Sequence, residues 1–154
     1  MRTFVSIKTI LEKIHSAVLN KNGFEQLRNF IFDYFAAEED DEYIFESEST
    51  KIVFDILGTY LEFEEAYNDP LANKKLKRLK TAIEIECSPE IVILAIYMDE
   101  ISMLVNKLSA GMISEFIFER QLRKLSPIKV KWKKVLKLYE LYSRLLSEDN
   151  LLSE

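Results

Sequence analysis

The chain has 154 residues, 48% of them hydrophobic and 31% charged, with a formal net charge of −5. That length suits one domain burying about 70% of the surface its unfolded chain exposes, so no disulfide or metal staple is required. Three Gly and three Pro leave little room for the tight turns of a sandwich or barrel, and a single cysteine, Cys87, excludes an intrachain disulfide.

In chain order, the first helix is expected from about Thr3 to Asn20, with Phe4, Ile7, Ile10, Leu11, Ile14 and Val18 at helical spacing and Asn20-Lys21-Asn22-Gly23 as its stop. Lys8 and Glu12 interrupt its apolar residues too early for a signal-peptide core. A second helix carries Phe24, Leu27, Phe30, Ile31, Tyr34 and Phe35 and ends where Glu38, Glu39, Asp40, Asp41 and Glu42 begin. Five consecutive like charges favour an exposed loop, while Tyr43, Ile44 and Phe45 are apolar enough to dock back. A third helix, capped by Ser49 or Thr50, is expected through about Tyr67, burying Ile52, Val53, Ile56, Leu57, Tyr60, Leu61 and Phe63. Its opposite face places Asp55, Glu62, Glu65 and Asp69 on one stripe around Gly58, a residue that would admit either a partner's backbone or a closely packed neighbouring helix.

Asp69-Pro70 then caps a fourth helix with a narrow apolar stripe, Leu71, Leu76, Leu79, Ala82 and Ile83; Lys74, Lys75, Lys77, Arg78 and Lys80 place it on the outside. The stretch 88–111 is the expected buried central helix. Ser88 caps it, Pro89 suits its first position, an uncharged run extends from Ile91 to Met98, and Gly111 can close its end in the left-handed conformation. The run 91–98 is far shorter than the roughly 20 residues of a membrane span. A short helix with Met112, Ile113, Phe116, Ile117, Leu122 and Leu125 follows; after Ser126-Pro127 the last helix runs to about Ser147, and 148–154 frays. The expected fold is all-α, one domain over 1–154, a bundle of six or seven helices around 88–111, in the cytoplasm.

Few residues here suit catalysis. Glu12 and His15 have the Glu-x-x-His spacing of carboxylate-bridged di-iron bundles, but such sites need two motifs and His15 is the only histidine. Cys87 precedes a helix cap that would lower its pKa, yet no base stands beside it. Asp99 and Glu100 diverge by 100° on a helix, which disfavours a shared-proton pair and suits the wetter edge of the central helix. No phosphate-cradling glycine loop or nucleophile elbow is present, so no catalytic residue, cofactor or metal is expected.

Charge is the informative feature. Between Glu38 and Asp69 stand twelve acids against one base, Lys51, while nine bases lie between Arg120 and Arg144. The basic helix with Trp132, Tyr139 and Tyr142 invites a nucleic-acid reading, countered by the acids, which would repel the same ligand. The acidic stretch is either a solvated face or a surface steering a basic protein partner.

The segment Glu64-Glu65-Ala66-Tyr67-Asn68-Asp69-Pro70 with Leu76-Lys77-Arg78-Leu79, and the pattern from Leu104 to Phe118 with Gly111, Ile113 and Phe116, resemble small helical bacterial immunity proteins. These are antidotes of colicin-type and contact-dependent growth inhibition toxins, and the likeness covers about a third of the chain. It implies a non-enzymatic inhibitor of one cognate toxin domain, often a basic nuclease. On that reading the partner-binding residues are Glu39, Asp40, Asp41, Glu42, Asp55, Glu62, Glu65 and Asp69, with Tyr43 or Tyr60 as anchors. No direct nucleic acid or membrane partner is expected, and the chain is a monomer or weak homodimer. The alternative is a helical adaptor or regulator that self-associates through its aromatic residues.

Overall fold

The computed structural model describes residues 2–63, 71–126 and 128–147, without the side chains of 62 and 63. Among them are seven helices and one two-stranded sheet: β1 (Arg2–Val5), α1 (Ile7–Leu19), α2 (Lys21–Phe35), β2 (Glu42–Phe45), α3 (Glu48–Phe63), α4 (Ala72–Ile85), α5 (Pro89–Ser109), α6 (Glu115–Arg123) and α7 (Trp132–Ser147). The fold is mainly all-α.

The central helix lies where the sequence places it. Every residue from Ile91 to Met98 is at most 4% exposed, and α3, α4, α6 and α7 all pack on α5. A helix apolar on all sides is stable only when so surrounded, each fully buried aliphatic side chain contributing about 1.5–3 kcal/mol. Ser88 Oγ accepts the Ile91 N–H, and Pro89 occupies the first turn. At the other end Gly111 adopts φ 73°, letting Gly111 N–H reach the Leu108 carbonyl and Met112 N–H the Lys107 carbonyl. This double closure is the one a left-handed residue after the last turn permits. Helical geometry breaks once, at Tyr97 (φ −106°, ψ 21°), two residues before Asp99.

Several boundaries differ from expectation. The first helix starts at Ile7, because Arg2–Val5 pairs in parallel with Glu42–Phe45, and Ser6 caps α1 by accepting the Thr9 N–H. Asn20 ends α1 and at once caps α2 through its side chain, which accepts the Gly23 N–H at 2.7 Å, so Gly23 lies inside α2 rather than in a stop. Ser47, and neither Ser49 nor Thr50, caps α3: its hydroxyl accepts the Thr50 N–H. α4 starts at Ala72 with Leu71 at the cap position and no side-chain cap bond, two residues later than a start capped by Asp69, and the 148–154 tail falls outside the described residues.

The larger correction concerns α4. It is not a peripheral helix with solvated bases on its outer side: Lys75 (6% exposed) and Arg78 (1%) are buried against α5. Arg78 makes a two-pronged bond to Asp99, Nη1 to Oδ2 at 3.2 Å and Nη2 to Oδ1 at 3.1 Å, and Lys75 Nζ lies 4.0 Å from Glu100. Asp99 and Glu100, each more than a third exposed, do mark the wetter edge of α5, and from there they serve as counter-ions of the buried cations. Glu90, beneath the start of α7, accepts the Lys131 backbone N–H at 3.1 Å and lies 3.7 Å from Lys134 Nζ.

Candidate partner-binding surface

The acidic surface is built on an aromatic floor. Phe54 of α3 is fully buried, and Phe30 and Tyr34 of α2 and Phe45 of β2 meet it edge-on at centroid distances of 5.7, 5.2 and 5.4 Å. Tyr34 also packs on Tyr43 at 5.0 Å. Edge-to-face pairs at these separations each add about 0.5–1.5 kcal/mol beyond area burial. The cluster fixes the end of α2 and all of β2, and thereby both ends of the acidic loop.

The loop itself closes as a turn. The Asp41 N–H donates to the Glu38 carbonyl at 3.0 Å, and Asp41 Oδ2 accepts the Glu38 N–H at 3.3 Å. Glu39 and Asp40 stand at the tip, both exposed. Glu42 is exposed on β2 and meets Arg2 at 3.1 Å, a surface pair worth little in water. Tyr43 is half-buried beside them; burial raises its hydroxyl pKa first, and the negative charges of Asp33 and Asp41 raise it further. Asp33 therefore belongs to this surface, although it precedes the acidic window of the sequence. Its position near the end of a helix that runs into the loop is the signal that could have found it.

The remaining candidates part company. Asp55 is half-buried on α3, 3.8 Å from Lys51, and burial raises its carboxyl pKa more than Lys51 lowers it. The Gly58 face is occupied: a Cβ there would lie 2.7 and 2.9 Å from two Phe35 ring carbons, so α2 rather than a partner uses the missing side chain. Tyr60 is 1% exposed with Lys75 Nζ 5.4 Å from its ring centre, so it is a core residue and is not available as an anchor. The Glu62 side chain, Glu65 and Asp69 lie outside the described residues. What the structure brings together is Asp33, the Glu38–Glu42 turn and Tyr43.

His15 Nδ1 lies 3.1 Å from Lys80 Nζ, a neighbour that disfavours a cation, and no group of metal-ligating side chains occurs among the described residues. Burial, and then the charge of Glu46, raise the Cys87 thiol pKa, so the helix that follows does not activate it. Among the described residues no helix is long and apolar enough to cross a membrane. Comparison with protein-family models, curated proteins and solved structures gives no match.

Proposed function

We propose that this chain is a non-enzymatic immunity protein, whose acidic edge binds a basic surface of one cognate bacterial toxin domain and blocks its substrate groove. One observation carries the reading: a hydrogen-bonded turn holds Glu39 and Asp40 outward over a packed aromatic floor, with Asp33, Asp41 and Glu42 around a half-buried tyrosine. Pre-ordered carboxylates lose little freedom on binding, and an acidic patch accelerates encounter with a basic partner. Where the partner is a nuclease, the carboxylates occupy positions that otherwise hold nucleic-acid phosphates. Tyr43 supplies the amphipathic ring on which interface energy commonly concentrates.

The test is to express any secreted C-terminal domain that the neighbouring gene encodes, co-purify it with this chain, and follow with association kinetics. Glu39→Lys with Asp40→Lys is expected to slow association about tenfold or more at low salt and to flatten its salt dependence, with the thermal unfolding midpoint unchanged. Equal rates and equal salt dependence in the variant would remove the acidic edge from the interface. Full toxin activity in the presence of excess protein would remove the immunity reading.

A further inference from the structure

Two cavities adjoin on the surface formed by α6 and the segment leading into α7. One, of about 590 Å³, lies among Arg123, Ser126, Lys129, Trp132 and Lys133. The other, of about 340 Å³, runs along Phe116, Arg120, Arg123 and Lys124, with Glu119 beside them. Arg123 lines both, so the two form one continuous concave strip.

Its chemistry is mainly basic, with Glu119 as the one acid in the lining. Arg120, Arg123, Lys124, Lys129 and Lys133 are exposed, and none has an ion pair among the described residues. The neighbouring acids Glu86 and Glu90 are engaged with Lys134 instead, at 3.5 and 3.7 Å. Five cations against one carboxylate leave the strip a surplus of positive charge, more than a single phosphate would satisfy. Aromatic rings alternate with the charges: Trp132 is half-buried in the first cavity, and Phe116 is 74% exposed in the second. Ser126, 8% exposed, accepts the Ile128 N–H at 3.2 Å, and its own hydroxyl proton has no acceptor among the described residues. Cations that track a backbone, interleaved with rings on which bases stack, are the pattern that holds single-stranded nucleic acid. A duplex would hide its bases from both rings, and an acidic peptide would leave the rings without a flat partner.

We propose that this strip binds a short single-stranded nucleic-acid segment, with a base on Trp132, a second base on Phe116 and the intervening phosphates on Arg123, Lys129 and Lys133. Of the acids that argue against a nucleic-acid ligand at the level of whole-chain charge, Glu38 to Glu42 lie on the turn after α2 and on β2, Glu48 and Asp55 lie on α3, and none of these lines either cavity. This site is therefore separate from the acidic edge, and its test stands apart from that of the immunity reading.

Trp132 is the only tryptophan, so its fluorescence reports the site directly. The probes are an oligothymidylate and an oligouridylate of about eight nucleotides, a length within the usual footprint of such surfaces. Saturable quenching is expected, weakening about 20- to 50-fold between 50 and 200 mM salt if three or four phosphates are contacted. Lys129→Glu with Lys133→Glu changes two exposed residues and is expected to lower affinity tenfold or more with an unchanged circular dichroism spectrum; Phe116→Ala is expected to lower it about fivefold. Absence of quenching at 50 mM salt would overturn the proposal. So would equal affinity for uridine monophosphate or inorganic phosphate, or equal competition by a polyglutamate peptide, each of which would reduce the strip to a simple anion site.

Discussion

Arg78 is the largest fully buried side chain among the described residues, and its charge is tolerable only because Asp99 takes both of its terminal nitrogens. The hydrogen bond from Arg78 holds the Asp99 carboxyl below the usual carboxylate range, against the raising effect of its own partial burial. A depressed folded-state pKa stabilises the fold fully above the unfolded value of about 3.9 and loses that contribution as pH falls through the lower folded value. Asp99→Asn is therefore expected to lower stability by about 2 kcal/mol at neutral pH, discounted from the figure for a fully buried pair because Asp99 is 39% exposed. Urea midpoints across pH should show the deficit at pH 7 shrinking below pH 4; an undiminished deficit would mean that packing, and not the ion pair, was lost. Asp55 has the opposite sign. Its raised pKa makes the ionised form a small burden on the fold at neutral pH. The burial of Lys75 and Arg78 was partly legible: both lie in register with Leu79 and Ala82, and the uncharged run of α5 ends in two acids that need partners. A count of five bases in one short helix obscured that register.

At the scale of elements, two glycines are filled by neighbours of different stiffness. A Cβ at Gly23 would lie 2.0 Å from the Ser16 carbonyl oxygen, a backbone atom of α1 that cannot move without opening the α1–α2 hairpin. At Gly58 the nearest obstacle is the Phe35 ring, which is half exposed and can swing aside, with the buried Ile31 Cγ2 next at 3.1 Å. Gly23→Ala is thus expected to cost about 1–3 kcal/mol and Gly58→Ala distinctly less, since the added methyl also favours the helix. Chemical denaturation of the two variants checks the order, and the reverse order would place the tighter contact at α3. Elements whose ends are chemically marked were readable, α5 above all, with Ser88, Pro89 and Gly111 at its boundaries. The sheet was not. Arg2–Val5 has no local reason to be extended rather than helical; its partner lies 40 residues away, and only that pairing, with Val5 buried and Phe4 outward, decides the matter.

At the scale of the molecule, the charge split in the sequence becomes a division between elements, acids on the turn between α2 and β2 and exposed bases on α6 and the approach to α7. The turn was legible because five like charges in a row must face water. Tyr60 is buried, as its place in the apolar stripe of α3 implies, and the same burial removes it as an anchor. Of the aromatic residues offered for self-association, Phe30, Tyr34, Phe45 and Phe54 pack on one another, while Phe4 and Phe116 stay exposed. The parallel pairing of β1 with β2 also orders events in time. Two strands separated by both α1 and α2 cannot meet until that hairpin has formed, and closing so long a loop for four residues of pairing is a late step. Hydrogen exchange is expected to release the amides of 42–46 well before those of 91–98; equal protection would make the sheet part of the core's own cooperative unit. A partly folded chain then carries the same five acids, but their fixed placement beside Tyr43 arrives only with the last pairing of the fold.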